Sequence, residues 1–156
     1  MDLDQQIQDL IQQAPQDGAT PAAVEAIAPA LKQIAGQLKH PRYYILQTLE
    51  QRWAMTALNH RSEPALQKNV VYAYADLKDA LASPVAKDPQ IMAFPVLVTH
   101  ILFQMVAMTT VDSIIFFETS GNLHAGTEVT RANVQELVQL YLKAAQGVSS
   151  LPPDIA

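Results

Sequence analysis

The sequence predicts a single α+β domain: a mixed sheet of about five strands, an apolar helix packed on it, and a helical hairpin at the N-terminus. Three observations lead there. Apolar residues in the first forty positions recur at helical spacing. Two short runs, Val70–Ala75 and Ser113–Phe117, are apolar on both alternating faces, as strands covered on both sides are. The stretch Ile91–Thr119, which ends in the second of these runs, is uncharged before Asp112 and changes partway from helical to strand-like character.

In chain order, Leu3, Ile7, Leu10, Ile11 and Ala14 form one helical stripe, which Pro15–Gly18 interrupts. Thr20–Pro21 reads as an N-cap followed by proline at the first helical position. Val24, Ile27, Leu31, Ile34 and Leu38 continue a helical face to Lys39, with Pro29 expected to kink or split it and His40–Pro41 to end it. Residues 43–48 and 52–59 are rich in aromatic and β-forming side chains and predict a β-hairpin. One continuous helix over 43–58 is the rival, since Gln, Leu, Glu and Met are helix formers. Asn59–Asn69 reads as a loop.

After the strand at 70–75, Asp76 is the expected N-cap of a short helix, Leu77–Ala82, and Ser83–Pro89 a connector. Pro95 is expected to start a helix running to Thr109, because a residue before proline avoids the α region. Thr99, His100 and Gln104 form a polar stripe on it. The strand Ser113–Phe117 follows, then a turn at Thr119–Asn122. A last strand is expected near 126–129, then a helix capped by Thr130 and stopped by Gly147. The domain therefore divides into a hairpin (1–40), a core (41–146) and a loose tail (147–156).

The 156 residues suffice to bury roughly two-thirds of the unfolded surface in one core. A net charge of −5, with the ten Lys and Arg scattered, argues against nucleic acid and anionic membrane partners. There is no cysteine, which removes disulfides, thiolate nucleophiles and Cys-based metal sites. The acidic, amphipathic start is unlike a signal peptide and predicts a cytoplasmic protein. The uncharged run Pro89–Val111 has the length of a membrane span, but Pro95 shortens the expected helix to about 22 Å and polar side chains sit mid-span.

No motif carries a specific chemistry. The four histidines are far apart; His60/Glu63 and His124/Glu128 have metal-ligand spacing only if helical, and both fall where loop is expected. Ser113 with His100 and Asp112, or Ser120 with His124 and Glu118, has the composition of a triad, without the strand–turn–helix elbow that exposes a nucleophile. No glycine-rich phosphate loop is present. No catalytic residue, metal site or cofactor is therefore expected. The candidate ligand or partner loop is Thr119–Gly126, with Asn122, His124 and Glu128, because open α/β sheets place ligands beyond the C-terminal ends of their strands.

The run YYILQTLEQRWAMTALNH…NVVYAYADLKDAL…FPVLVTHILFQMVAMTTVDSIIFFET…GTEVTR, about residues 43–131, resembles small cyanobacterial proteins of unknown function. More remotely, the strand–helix unit VVYAYADLKDAL and the helix before VDSIIFFETSGN are similar to the SseB-like domain; Thr119–Asn122 stands where that family has an Asn-Pro-Gly turn. The resemblance implies a non-enzymatic interaction role. The expected function is thus a cytoplasmic interaction or regulatory module that binds a protein partner or itself. A small-molecule binder or enzyme with its site at 119–126 is the alternative.

Overall fold

In the computed structural model, residues 2–14, 20–59 and 67–150 are described. The chain forms α1 (Leu3–Gln13), α2 (Thr20–Ala35), β1 (Arg42–Thr48), β2 (Thr56–Asn59) and β3 (Gln67–Tyr74). There follow α3 (Leu77–Leu81), a 3-10 turn at Pro84–Lys87, β4 (Ile91–Leu97), α4 (Val98–Ala107), β5 (Ser113–Phe117), β6 (Thr127–Thr130) and α5 (Arg131–Ser150). The six strands make one mixed sheet of order β4-β1-β3-β5-β6, with β2 also paired to β3. β3 and β5 are parallel, and the other pairs antiparallel. The fold is α+β, with the N-terminal helix pair packed on the sheet. The predicted break at Pro15–Gly18, the His60/Glu63 pair and the end of the predicted tail lie outside the described residues.

Strand alternation sorts the side chains between two layers. Tyr43, Ile45, Val71, Ala73, Ile114 and Phe116 face α1, α2, α4 and α5 and build the main core. Leu46, Tyr74 and Phe117 face the other way, where α3 and the 3-10 turn cover them. Tyr72, Tyr74 and Phe117 stack on that side with centroids 5.4–6.5 Å apart.

Several boundaries differ from expectation. Pro95 does not open a helix. It lies in β4, opposite Tyr44, and β4 is an edge strand whose outer side needs no donor. The uncharged stretch is consequently strand, ten-residue helix and strand. Among the described residues no helix is long and apolar enough to cross a membrane. α2 runs unbroken through Pro29, which is exposed, so the amide it lacks is missed only on the solvent side. It ends at Ala35, where Gly36 turns the chain, not at Lys39. α5 continues through Gly147 to Ser150, since glycine in helical geometry weakens a helix by only about 1 kcal/mol.

The region 43–58 reverses as expected for a hairpin and then departs from it. Thr48 N–H donates to Arg52 O at 2.9 Å, Gln51 takes a left-handed φ of 65°, and Ala54 N–H donates to Leu46 O at 2.8 Å. Beyond Ala54 the second arm leaves β1 and pairs along β3 from Thr56 opposite Val70.

α4 begins without a cap of its own, because Leu97 at the N-cap has no polar side chain. Gln6 of α1 supplies one. Its Oε1 accepts from Thr99 N–H at 3.1 Å and from Thr99 Oγ1 at 2.8 Å, and its Nε2 donates to Pro41 O at 3.0 Å. Val98 N–H donates to the same Pro41 carbonyl at 2.9 Å. Gln6 and Thr99 are fully buried, so the predicted polar stripe of α4 faces α1 at Thr99, with only Gln104 exposed. Gln6→Leu, similar in volume, leaves a helix N-terminus and a buried hydroxyl without their acceptor. It should lower stability by about 2–3 kcal/mol in urea unfolding with an unchanged m-value.

Candidate functional site

The C-terminal ends of the parallel strands β3 and β5 lie side by side, Tyr74 opposite Phe117, and the chain leaves both into polar loops. Asp76 caps α3 by accepting from Lys78 N–H at 2.9 Å, as its position predicts, and also accepts from Ser120 Oγ at 2.6 Å. Those bonds, Ser120 first, hold its carboxyl below the usual carboxylate range. Asp79, buried on α3, accepts from Gly121 N–H at 2.8 Å. Gly121 has φ 80°, the left-handed conformation that favours glycine.

Glu118 closes the other flank. Its carboxylate accepts from Lys39 N–H at 2.8 Å and from the Tyr43 hydroxyl, while His40 Nε2 meets the Glu118 carbonyl at 2.6 Å. Tyr43 is fully buried, and its hydroxyl pKa is raised, first by burial and then by the bond to Glu118. Packed edge-on against Phe116 and His40, it is held as a neutral donor. The loop after β5 is thus fastened from two sides, by the turn after α2 and by α3.

The predicted loop residues part company around it. Asn122 and His124 are exposed and linked to each other locally, His124 N–H donating to Asn122 Oδ1 at 3.1 Å. Glu128 stands on β6, opposite Ile115, and turns to a different set of groups. It accepts from Ser113 Oγ at 2.7 Å and pairs with Lys68, which together, Lys68 first, lower its pKa. At Gly126 the chain passes so close to β5 that an added Cβ would sit 2.5 Å from Ile115 Cγ2.

Neither serine list is assembled. Ser113 bonds Glu128, Asp112 accepts from Asn69 N–H at 2.7 Å, and His100 lies against α1. Ser120 and Glu118 are bound to Asp76 and to Tyr43. Among the described residues no group of three or more His, Asp or Glu is placed to hold a metal ion. Core packing of Tyr43 is what its sequence context favours, but its bond to Glu118 and the capping role of Gln6 have no sequence signal. Tyr43 and Glu118 are 75 residues apart, and no local pattern joins them.

Glu118→Ala would leave the buried Tyr43 hydroxyl and Lys39 N–H without their acceptor. It should cost about 1–3 kcal/mol by denaturant unfolding, and Glu118→Gln, which keeps an acceptor, less. His100 Nε2 lies 3.3 Å from both Gln6 O and Asp9 Oδ2. Burial lowers its pKa and outweighs the opposing pull of Gln6 and Asp9. A depressed folded pKa means that the unfolded chain takes up the proton first. The stability His100 contributes is therefore complete above its unfolded pKa of about 6.5 and lost as pH falls through its folded value. Thermal unfolding between pH 8 and pH 5 should show this loss, and His100→Gln should flatten it. No protein-family model matches the chain, and no curated protein or solved structure matches it either.

Proposed function

We propose that the chain is a non-catalytic, cytoplasmic protein-interaction module that holds a partner protein in the groove beside Trp53. The observation that carries this reading is the composition of that groove. Where the second arm leaves β1, it stands away from the C-terminal half of α4, and a cleft of about 440 Å³ opens between them. Arg52, Trp53, Met55, Phe103 and Met108 line it, the residue types enriched where proteins meet. Trp53 is buried as the floor, while Met55 is 44% exposed and flexible enough to fit a partner's surface.

The alternative, a small-molecule site at 119–126, is supported less, because Glu118, Ser120 and Gly121 are engaged in fastening that loop. The implied SseB-like role agrees with an interaction module, and the cysteine-free composition agrees with a reducing cytoplasm.

Affinity capture with wild-type chain and Met55→Glu, matched for folding by circular dichroism, tests this reading. Burying the new carboxylate should weaken capture of the specific partner about tenfold or more. A metabolite that raises the unfolding temperature saturably, with the effect lost in His124→Ala and capture unchanged in Met55→Glu, would establish the alternative.

A further inference from the structure

α5 is about 30 Å long and uses only one side for the core. Val134 and Val138 are buried, with Leu137, Tyr141 and Leu142 packed beside them. The rest of the helix has a character of its own. On the flank towards α4, Glu136, Gln139, Leu140 and Lys143, with Val138 at the core margin, line an open groove of about 790 Å³ that Val106 of α4 also borders. On its other flank Leu140 borders a second concavity of about 350 Å³, together with Ile34 and Leu137. Leu140 is a ridge between two hollows. It is 64% exposed, against 56% for Leu81 and 41% for Leu77, the other large apolar side chains left open on helices among the described residues. A single exposed leucine is ordinary on a protein surface. A leucine flanked by hollows able to receive its like is a shape that fits itself.

The charges on this face have the same property. Glu136 and Lys143 are seven residues apart, so they share a face but stand about 10.5 Å apart along the axis, too far to pair with each other. Neither has an ion-pair partner among the described residues. Their midpoint falls between Gln139 and Leu140. Two such helices running antiparallel about a two-fold axis through that midpoint set each Glu136 opposite the partner's Lys143, twice over. Leu140, close to the axis, then enters the hollow of the facing copy. Parallel pairing in register would oppose like charges.

We propose that this face of α5 docks a second copy of the chain as an antiparallel, two-fold helix pair. An isologous contact needs one patch complementary to itself, and the ridge between hollows and the reciprocal charges meet that requirement. The surface deepens the interaction reading by naming a partner, and it shares no lining residue with the groove beside Trp53.

Sedimentation analysis of the full chain over a range of concentrations tests the pairing. Wild type should associate reversibly, and more weakly as salt screens the charge pairs. Leu140→Asp should weaken association about tenfold or more, as should Glu136→Lys and Lys143→Glu, each of which sets like charges opposite each other. Mixed in equal amounts, the two charge-reversed variants should associate with each other, because one presents two lysines and the other two glutamates. A wild type that stays monomeric, association indifferent to these substitutions, or a mixture no better than its components would overturn the pairing. A monomer whose partner capture still depends on Met55 would overturn it and leave the interaction reading standing.

Discussion

The main layer of helices is organised around one buried amide. Gln6 caps α4, an element 93 residues away in the chain, and grips the carbonyl at the start of β1. An uncapped helix start in a core would leave donors without water or protein to satisfy them, a loss of about 1–3 kcal/mol for each. Gln6 prevents that loss and also sets the height of α1 against α4. Hydrophobic packing alone allows helices to slide, whereas three hydrogen bonds from one side chain specify a single arrangement. The Asp2–Gln5 capping box that starts α1 holds the turn carrying Gln6 in place.

The two ends of the sheet differ in how they are secured. At the C-terminal ends of β3 and β5, Asp76, Asp79, Glu118 and Tyr43 bind neighbouring loops, so polar groups that look chemical in the sequence act as fasteners. On the far side of the molecule, the second arm and α4 leave apolar side chains facing a cleft that no element of the described chain fills. At one end Asp76, Asp79 and Glu118 are taken up in fastening loops, and at the other apolar side chains stand open to a cleft. That contrast underlies the proposed interaction role.

The sequence made the fold legible wherever a short-range pattern and the tertiary environment agreed. β5 was readable because both of its faces are buried, and α3 because Asp76 caps it locally. The errors arise where partners are remote. Pro95 is compatible with a helix start and with an edge strand, and only the position of β4 beside β1 decides between them. The turn after Thr48 is encoded nearby, but the choice of β3 as the partner of the second arm is not. Of the candidate site, the loop at 119–126 was correctly placed at a strand end. The partners of its neighbours were not legible, because Glu128 meets Ser113 and Lys68, and Glu118 meets Tyr43 of the first strand, all through contacts remote in sequence.

Pro95 has a consequence for how copies of this chain can meet. A sheet edge with a full row of amide donors is a template on which any extended segment can lengthen the sheet, with no natural limit to growth. Opposite Tyr44, in the middle of β4, that row has a gap no incoming strand can bridge. Open-ended stacking through this edge is disfavoured by covalent structure, at any concentration. The helix-face pairing proposed for α5 would close on itself after two copies, whereas growth along this edge would be endless, and one imino acid weighs against the endless mode.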